Sequence, residues 1–347
     1  MHHQYRKLFF YHFAIAAMFF SLLVIPTVLW FGLYSKPEKT FHSNCRIEDK
    51  LTSLKDYYND NFPFRKQIIF LYHGITSKLC FRATCHIPGN EPNWSFLRRT
   101  YPGFTGKNLF SSDEKKRILQ KLEKTDSFLR ERGIKLVIVI PPNKIQIYPE
   151  FLPWIMRKKQ AKISACEELV QYINARSKII ICHPKAQLRQ NKKIGLLYYP
   201  NDSHWNMAGA YIAFAEISKF IDEKISVPRQ DEMSWIQKDV SFGDLGLALP
   251  YKNPFPLGIR HTFAEDAQHT YDADRKERRI RNPAAVSKKK ILVFHDSFFI
   301  SMEPYFHHYF QETHQCAFGI DFDLIDRERP DVVVWEIVER YIRLILL

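Results

Sequence analysis

From residue 111 onward, apolar residues recur with helical and strand-like periods in alternation. The first helix is predicted to begin with a capping box, Ser111 to Glu114, and to end at Gly133. The segment IKLVIVI that follows is continuously apolar and rich in β-branched residues, which is typical of a strand covered on both faces. The same patterns predict helices near residues 162–176 and 206–224 and strands at 178–182, 291–296 and 331–338.

Strands that alternate with helices indicate a parallel sheet with helices on both faces, so we predict an α/β fold. Ligands of such sheets bind beyond the carboxyl ends of the strands. The chain is predicted to have three parts: a cytoplasmic tip and membrane anchor at 1–35, a helical and loop extension at 36–110 that packs on the catalytic domain, and that domain at 111–347.

Residues 8–34 form an apolar run in which His12 is the only ionisable residue apart from tyrosine. A helix of this length crosses a hydrocarbon core about 30 Å thick, which predicts a single transmembrane helix. A cleaved signal peptide is the alternative, but its apolar region is about 7–15 residues long and ends at small residues. Arg6 and Lys7 before the run favour a cytoplasmic N-terminus.

The formal net charge is +14. Beyond a membrane anchor, an anionic glycan or the membrane surface is a better partner for this charge than nucleic acid, so no nucleic acid is expected. The chain has six cysteines, whose even number permits disulfides but does not reveal their pairing: Cys45, Cys80, Cys85, Cys166, Cys182 and Cys316. Their spacing does not match a zinc site, and no metal is expected. Cys166 and Cys182 are predicted core residues.

The segment YYPNDSHWNMAGAY places Asp202 and His204 one residue apart before a predicted helix. In extended backbone these side chains point to the same face, so the carboxylate can hold the imidazole in one tautomer. Such a pair can activate a serine hydroxyl. Ser297 follows the strand at 291–296, at the carboxyl end where an α/β site is expected. The backbone N–H groups of Ser297 and Phe298 are candidates for an oxyanion hole.

Structural alternatives exist for each of these residues. An Asp–His pair is often a structural hydrogen bond or part of a metal site, and Ser297 could cap the following helix. Trp205 is interpreted as a packing wall, with a sugar-stacking platform as the alternative. Together, the Asp–His pair and the serine on a predicted parallel sheet favour acyl transfer.

Six segments, in this order, resemble the periplasmic alginate O-acetyltransferases of the AlgX/AlgJ type, whose catalytic domain is SGNH-hydrolase-like. They are YYNDNFPFRKQI (57–68), IPPNKIQIYPEFLP (140–153), NDSHWNMAGAY (201–211), FGDLG (242–246), VFHDSFF (293–299) and PDVVVWEIVERYI (330–342).

The resemblance implies that Ser297 is the nucleophile, His204 the general base and Asp202 its orienting group, in an order permuted relative to ordinary SGNH hydrolases. It makes Asn143 and Lys144, together with Trp205 and Phe298, candidates for contacts to substrate or oxyanion.

The resemblance further implies a serine O-acetyltransferase that is anchored in the inner membrane by one helix, with its catalytic domain in the periplasm. The acceptor would be a hydroxyl of an envelope or exported polysaccharide. No tightly bound cofactor is expected, because a multispanning membrane O-acyltransferase would supply the acetyl group. The alternatives are a polysaccharide O-acetylesterase with the same triad and a non-catalytic scaffold or glycan-binding subunit of an export complex.

Overall fold

The computed structural model describes residues 86–91, 94–229, 232, 234–240, 243–245, 251–256, 268–272, 277–317 and 319–346. These residues fall within one compact unit, Arg82–Leu347. The predicted membrane span at 8–34 and three of the cysteines, Cys45, Cys80 and Cys85, lie outside the described residues. Within the described residues, no helix combines the length and the apolar character needed to cross a membrane.

Nine α-helices occur in the described part of the chain: α1 Tyr101–Phe104, α2 Ser112–Arg130, α3 Lys144–Ile147, α4 Trp154–Arg157, α5 Ala165–Asn174, α6 Lys185–Gln190, α7 Met207–Ile221, α8 Glu303–Tyr309 and α9 Phe322–Glu328. Short 3₁₀ helices occupy Arg98–Thr100, Pro149–Phe151, Lys192–Ile194, Phe299–Ser301 and Glu339–Leu346. The predicted capping box of α2 is present, since Ser111 and Glu114 each accept the other's backbone N–H. Gly133 follows α2 with a φ of +71°, a conformation that favours glycine.

The described strands are β1 His86–Pro88, β2 Ser95–Leu97, β3 Lys135–Val139, β4 Ile180–Cys182, β5 Trp235–Val240, β6 Tyr251–Pro256, β7 Gln268–Asp272, β8 Glu277–Arg281, β9 Ser287–His295, β10 Phe310–Ala317 and β11 Val332–Glu336. Seven of them form one sheet in the order β4-β3-β11-β9-β10-β8-β7. The pairs β1–β2 and β5–β6 form two separate antiparallel ribbons.

The prediction of a wholly parallel sheet is wrong at one edge. The five strands from β4 to β10 are mutually parallel, but β8 pairs antiparallel with β10 and with β7, so the sheet is mixed. The sequences of β7 and β8, QHTYD and ERRIR, are mostly polar. An apolar pattern therefore could not reveal them.

Alternate residues of the central strands belong to two different hydrophobic clusters, one on each face of the sheet. Val137, Ile291 and Val332 face the cluster that also contains the apolar residues of α7. Leu136 and Leu292 face the opposite cluster, which contains the apolar residues of α2, α5 and α9. Strands buried on both faces read as continuous apolar runs, which is why β3, β9 and β11 were predictable.

The segment that precedes α2 also contributes to the core. Ile87, Trp94, Phe96 and Phe104 belong to the cluster on the α7 face of the sheet. The predicted domain boundary at residues 110 and 111 stays a prediction. Cys166 and Cys182 are buried free thiols, as predicted for core residues, and Cys316 is a third.

Candidate active site

The parallel strands bring distant residues to one rim of the sheet. Ser297 lies two residues beyond β9, and Asn143 lies beyond β3, which is separated from β9 only by β11. The third part of the site is the turn at residues 199–204, which a β-bridge between Tyr198 and Trp205 closes just before α7 begins. Helix α7 packs under this turn through its buried residues, so the turn is held against the sheet.

The structure brings Asp202, His204 and Ser297 into one hydrogen-bonded chain. Nε2 of His204 lies 2.7 Å from Oγ of Ser297, a residue 93 positions away. Nδ1 of the same ring lies 2.6 Å from Oδ1 of Asp202. Ser297 is exposed and Asp202 is 3% exposed, so the chain leads from a buried carboxylate to an accessible hydroxyl. Whether these residues are catalytic stays a prediction.

The local reason for the Asp–His pairing differs from the expected one. Residues 201–204 form a turn and bends rather than an extended strand. Oδ1 of Asp202 accepts the backbone N–H of His204 at 2.8 Å and also contacts the ring at Nδ1. Aspartate side chains commonly accept a backbone N–H two residues further along, so the spacing still predicts the pair, by a different geometry.

Asp202 lies in an environment that keeps its carboxylate ionised. Burial alone would raise the pKa of the Asp202 carboxyl, but the hydrogen bonds and charge of His204 and the charge of Lys144 together hold it below its ordinary value. An ionised carboxylate at Nδ1 fixes the tautomer in which Nε2 can accept a proton.

Asp244 supports the turn and was missed as a functional residue. Its carboxylate accepts the backbone N–H of Ser203 at 2.6 Å and the Ser203 hydroxyl at 2.7 Å, while its own N–H donates to Oδ2 of Asp202 at 3.1 Å. A Cβ at Gly243 would lie 2.3 Å from the Asn201 carbonyl oxygen, so only glycine permits this approach. The FGDLG segment was the available signal, because it pairs a glycine with an acid inside a loop.

Asp296 connects the turn that carries Ser297 to the end of β11. Its Oδ1 accepts the N–H of Phe298 at 2.9 Å, and its Oδ2 accepts the N–H of Val338 at 2.8 Å. Its own N–H donates to Oε2 of Glu336, which is fully buried. These contacts fix the backbone on both sides of Ser297.

Three of the predicted substrate or oxyanion candidates, Lys144, Trp205 and Phe298, are buried and have internal hydrogen-bond partners. Lys144 is 3% exposed, and its ammonium is bonded to three backbone carbonyls, so no donor remains for a ligand. Trp205 is fully buried with its indole N–H bonded to the Phe298 carbonyl, which makes it a packing wall. The N–H of Phe298 is bonded to Asp296, and its side chain is fully buried.

The pKa of Lys144 is shifted because the residue is buried. Burial lowers the pKa of Lys144 to about 7, although the charges of Asp202 and Asp244 act to raise it.

Asn143 lines a cavity of about 180 Å³, whose lining residues do not include Asp202, His204 or Ser297. Its backbone N–H and its side-chain nitrogen both donate to Oε2 of Glu339, at 2.8 and 3.1 Å. Arg340 lies in the same wall, 3.5 Å from the Ser203 hydroxyl and 4.9 Å from the centre of the Phe298 ring. Because an amide nitrogen carries two hydrogens, Asn143 keeps one N–H beyond its bond to Glu339. Its role in an oxyanion hole stays a prediction.

Two groups of residues in the described part of the chain have the types and distances of metal ligands. The first, Asp202, His204 and Asp244, coincides with the site above, where both ring nitrogens of His204 already have partners. The second consists of Glu277, His314 and Cys316 on β8 and β10; Arg327 lies 3.6 Å from Glu277 and Arg279 lies 3.5 Å from His314. These guanidinium groups already supply positive charge to the second cluster.

The sheet and the site at its carboxyl rim define an SGNH-hydrolase-like domain. Residues 91–284 match the family model described as SGNH hydrolase-like domain, acetyltransferase AlgX. Because this match covers more than half of the chain, the chain belongs to the AlgX family of acetyltransferases, and the predicted AlgX/AlgJ relationship is confirmed. The matched range includes Asp202 and His204 and ends before Ser297.

Two curated relatives are probable alginate O-acetylases named AlgJ. The protein of Pseudomonas syringae pv. tomato is 26% identical over 200 residues, which are 56% of this chain and 49% of the relative. The protein of Pseudomonas fluorescens is 34% identical over 129 residues, which are 35% of this chain and 32% of the relative. The chain therefore spans about half of these relatives' length or less.

Among solved structures, Bacillus cereus PatB1 with a sulfonyl adduct has a similar fold. The superposition has a TM-score of 0.52 with 16% sequence identity, and it covers 73% of this chain and 96% of PatB1. At this identity the likeness concerns the fold alone.

Proposed function

We propose that the chain is a serine O-acetyltransferase that acetylates a polysaccharide hydroxyl through an acetyl-serine intermediate. The observation that carries the proposal is the hydrogen-bonded chain from Asp202 through His204 to the exposed hydroxyl of Ser297. A serine hydroxyl becomes an effective nucleophile when an oriented imidazole accepts its proton. Membership of an acetyltransferase family supports the choice of acetyl as the group transferred.

In the first half-reaction, Oγ of Ser297 attacks the carbonyl carbon of the donor's acetyl group while Nε2 of His204 accepts the hydroxyl proton. The tetrahedral intermediate collapses, the bond from carbonyl carbon to the donor's leaving group breaks, and that group departs with the proton from Nε2. Asp202 keeps its negative charge throughout, holds Nδ1–H in place and stabilises the imidazolium.

In the second half-reaction, a sugar hydroxyl loses its proton to Nε2 of His204 and attacks the acetyl-serine ester. Collapse of the second intermediate breaks the bond to Oγ, which takes the proton back, and the acetylated sugar leaves. The negative oxygen of each intermediate needs donors close to the nucleophile. We assign the backbone N–H of Ser297, which has no hydrogen-bond partner among the described residues, and the remaining N–H of Asn143.

The charge of the molecule supports an anionic polysaccharide as the acceptor. The formal net charge is +14, and the cavity beside the site is lined by Arg99, Arg340 and Arg343. Of these, Arg343 is bonded to Glu114, whereas Arg340 reaches Asn143 and Ser203 only at 3.5 Å. Alginate, named for the AlgJ relatives, is therefore a reasonable first acceptor to test.

We also propose that residues 8–34 anchor the chain in the inner membrane and that the domain lies in the periplasm. A periplasmic acetyltransferase needs a donor other than cytoplasmic acetyl-CoA, so a multispanning membrane O-acyltransferase is the proposed supplier. If the anchor prediction holds, the full-length chain will remain in the membrane fraction after a high-salt wash and a variant without residues 1–35 will be released. Release of both proteins would contradict it.

The decisive experiment measures acetyl transfer from an aryl acetate by the purified full-length chain, with and without an oligosaccharide acceptor, by mass spectrometry. Acetylated oligosaccharide is expected from the wild type, none from Ser297→Ala, and wild-type amounts from Ser177→Ala, whose hydroxyl bonds to Ile173 instead. Free acetate alone in the presence of acceptor would favour an esterase. Undiminished transfer by Ser297→Ala would rule out the acetyl-serine route and favour a scaffold role for this site.

A further inference from the structure

Lys144 is a buried lysine at the rim of the sheet and is the first residue of α3. It is only 3% exposed. Its Nζ lies 3.0 Å from the carbonyl oxygen of Tyr199, 2.7 Å from that of Pro200 and 2.6 Å from that of Asp202. An ammonium group has three N–H donors and no acceptor, so three carbonyls use its full capacity.

The three carbonyls all belong to the turn that carries the acid–base pair. The ammonium bonds to the backbone of Asp202, while the side chain of the same residue bonds to His204 and to the N–H of Asp244. The rings of Trp94 and Phe96 lie 5.3 Å from Nζ and favour a cation at this place. Lys144, which follows β3, therefore contacts both the turn and two aromatic rings of the core.

We propose that Lys144 is a positioning residue for the Asp202–His204–Ser297 chain, an inference that rests on the proposed function. It acts through the backbone of the turn and touches neither substrate nor the reacting atoms. The contact between His204 Nε2 and Ser297 Oγ joins two separate segments, so its length depends on where the turn is held. Misplacement of reacting groups by about 1 Å can cost about 100-fold in rate.

A purely stabilising role makes a different prediction. Buried charges cost free energy unless they are paired or hydrogen-bonded, so any buried lysine can affect folding. Lys185 provides the matched control, since it is 7% exposed and its ammonium bonds to Glu167 rather than to the turn. If Lys144 only stabilises the fold, the folded fraction of a Lys144 variant will react as the wild type does.

The test uses the full-length chain and two readouts of the site. The first is the rate at which a fluorophosphonate labels Ser297, with Ser297→Ala as the blank. The second is the downfield proton NMR signal of Nδ1–H in His204, assigned by its loss in Asp202→Asn. We expect Ser297 in Lys144→Met to be labelled at least about 10-fold more slowly than in the wild type, and the Nδ1–H signal to be lost or shifted. Lys185→Met should keep the wild-type labelling rate and the wild-type signal. In acetyl transfer, kcat should fall while KM for the acceptor stays unchanged.

Wild-type labelling rate and NMR signal in folded Lys144→Met would overturn the proposal. If Lys144→Met does not fold, Lys144→Gln, which keeps two N–H donors, is judged by the same readouts. Failure of both to fold while Lys185→Met folds would assign Lys144 a stabilising role only. If wild-type Ser297 is not labelled at all, the proposed function fails instead, and the NMR signal still decides whether Lys144 positions His204.

Discussion

The carboxyl of Glu336 is fully buried at the end of β11, close to the turn that carries Ser297. Burial raises its pKa well above the ordinary value, and the neighbouring Asp296 carboxylate raises it further. Burial therefore favours the protonated form of Glu336, whose Oε2 accepts the N–H of Asp296 at 2.9 Å. The protonated form supports the turn without adding a negative charge beside the Asp296 carboxylate.

Replacement of Glu336 by glutamine should stabilise the protein in alkaline solution. Because the pKa of the acid is raised on folding, its stabilising effect is complete below the unfolded value and is lost as pH rises through the folded value. Glutamine cannot ionise, so Glu336→Gln should have a larger free energy of unfolding than the wild type at pH 8, by about 1 kcal/mol or more. At pH 4 the two should be equal.

Urea unfolding at both pH values tests this expectation. Glu123→Gln, at an exposed position, is the control and should leave the free energy of unfolding unchanged at both pH values. A Glu336→Gln variant that is less stable than the wild type at both pH values would contradict a raised pKa for Glu336.

At the residue scale, the sequence predicted that Asp202, His204 and Ser297 lie together. The Asp–His spacing indicated the pair, and the position of Ser297 just after a strand indicated the third residue. It did not predict the burial of Lys144, because a lysine just after a strand resembles a ligand-binding residue. Its true partners are carbonyls 55 to 58 residues away, and neither their position nor the burial of the ammonium can be read from a local pattern.

At the element scale, strands β3, β4, β9 and β11 were predictable, whereas β10 was not. The sequence of β10, FQETHQCA, is largely polar, yet Thr313, His314 and Gln315 are buried. Two of these side chains have polar partners on neighbouring elements, Glu277 for His314 and His307 for Gln315. A hydrophobicity pattern registers only apolar burial, so a strand with a polar interior is not detected.

Helix α9 is joined to strands β8 and β9 by an ion cluster around Glu328. Its carboxylate lies 2.7 Å from Arg279 of β8 and 2.8 Å from Lys290 of β9. Burial would raise the pKa of Glu328, but the hydrogen bond from Lys290 and the charges of Arg279 and Lys290 lower it to about 2.

Removal of this charge should destabilise the protein in a pH-dependent manner. An acid whose pKa is lowered on folding stabilises the protein above its ordinary value of 4.5, and this effect is lost as pH falls towards about 2. Glu328→Gln should therefore lower the free energy of unfolding by about 1–2 kcal/mol at pH 7 and by progressively less at pH 4 and pH 3.

Urea unfolding measures the difference, and Glu131→Gln, whose side chain is 75% exposed, serves as the control. A loss that is the same at all three pH values would show that packing, rather than charge, accounts for the effect.

At the scale of the whole molecule, the net charge of +14 should govern acceptor binding. Salt screens attraction between exposed charges, with a Debye length of about 10 Å at 0.1 M and about 3 Å at 1 M. We therefore expect KM for an anionic oligosaccharide to rise several-fold between about 0.05 and 0.5 M salt, as steady-state acetyl transfer can measure. A neutral oligosaccharide is the control; an equal rise in its KM would contradict electrostatic recognition.

Strand β11 lies between β3 and β9 and pairs with both, although it is the last of the described strands in sequence. It and the residues just after it also provide Glu336 and Val338, which bond to Asp296. A nascent chain on the ribosome can therefore hold its serine, imidazole and carboxylate and still lack a working arrangement of them. The reactivity of Ser297 towards acyl donors that is proposed above would therefore require this strand to be in place.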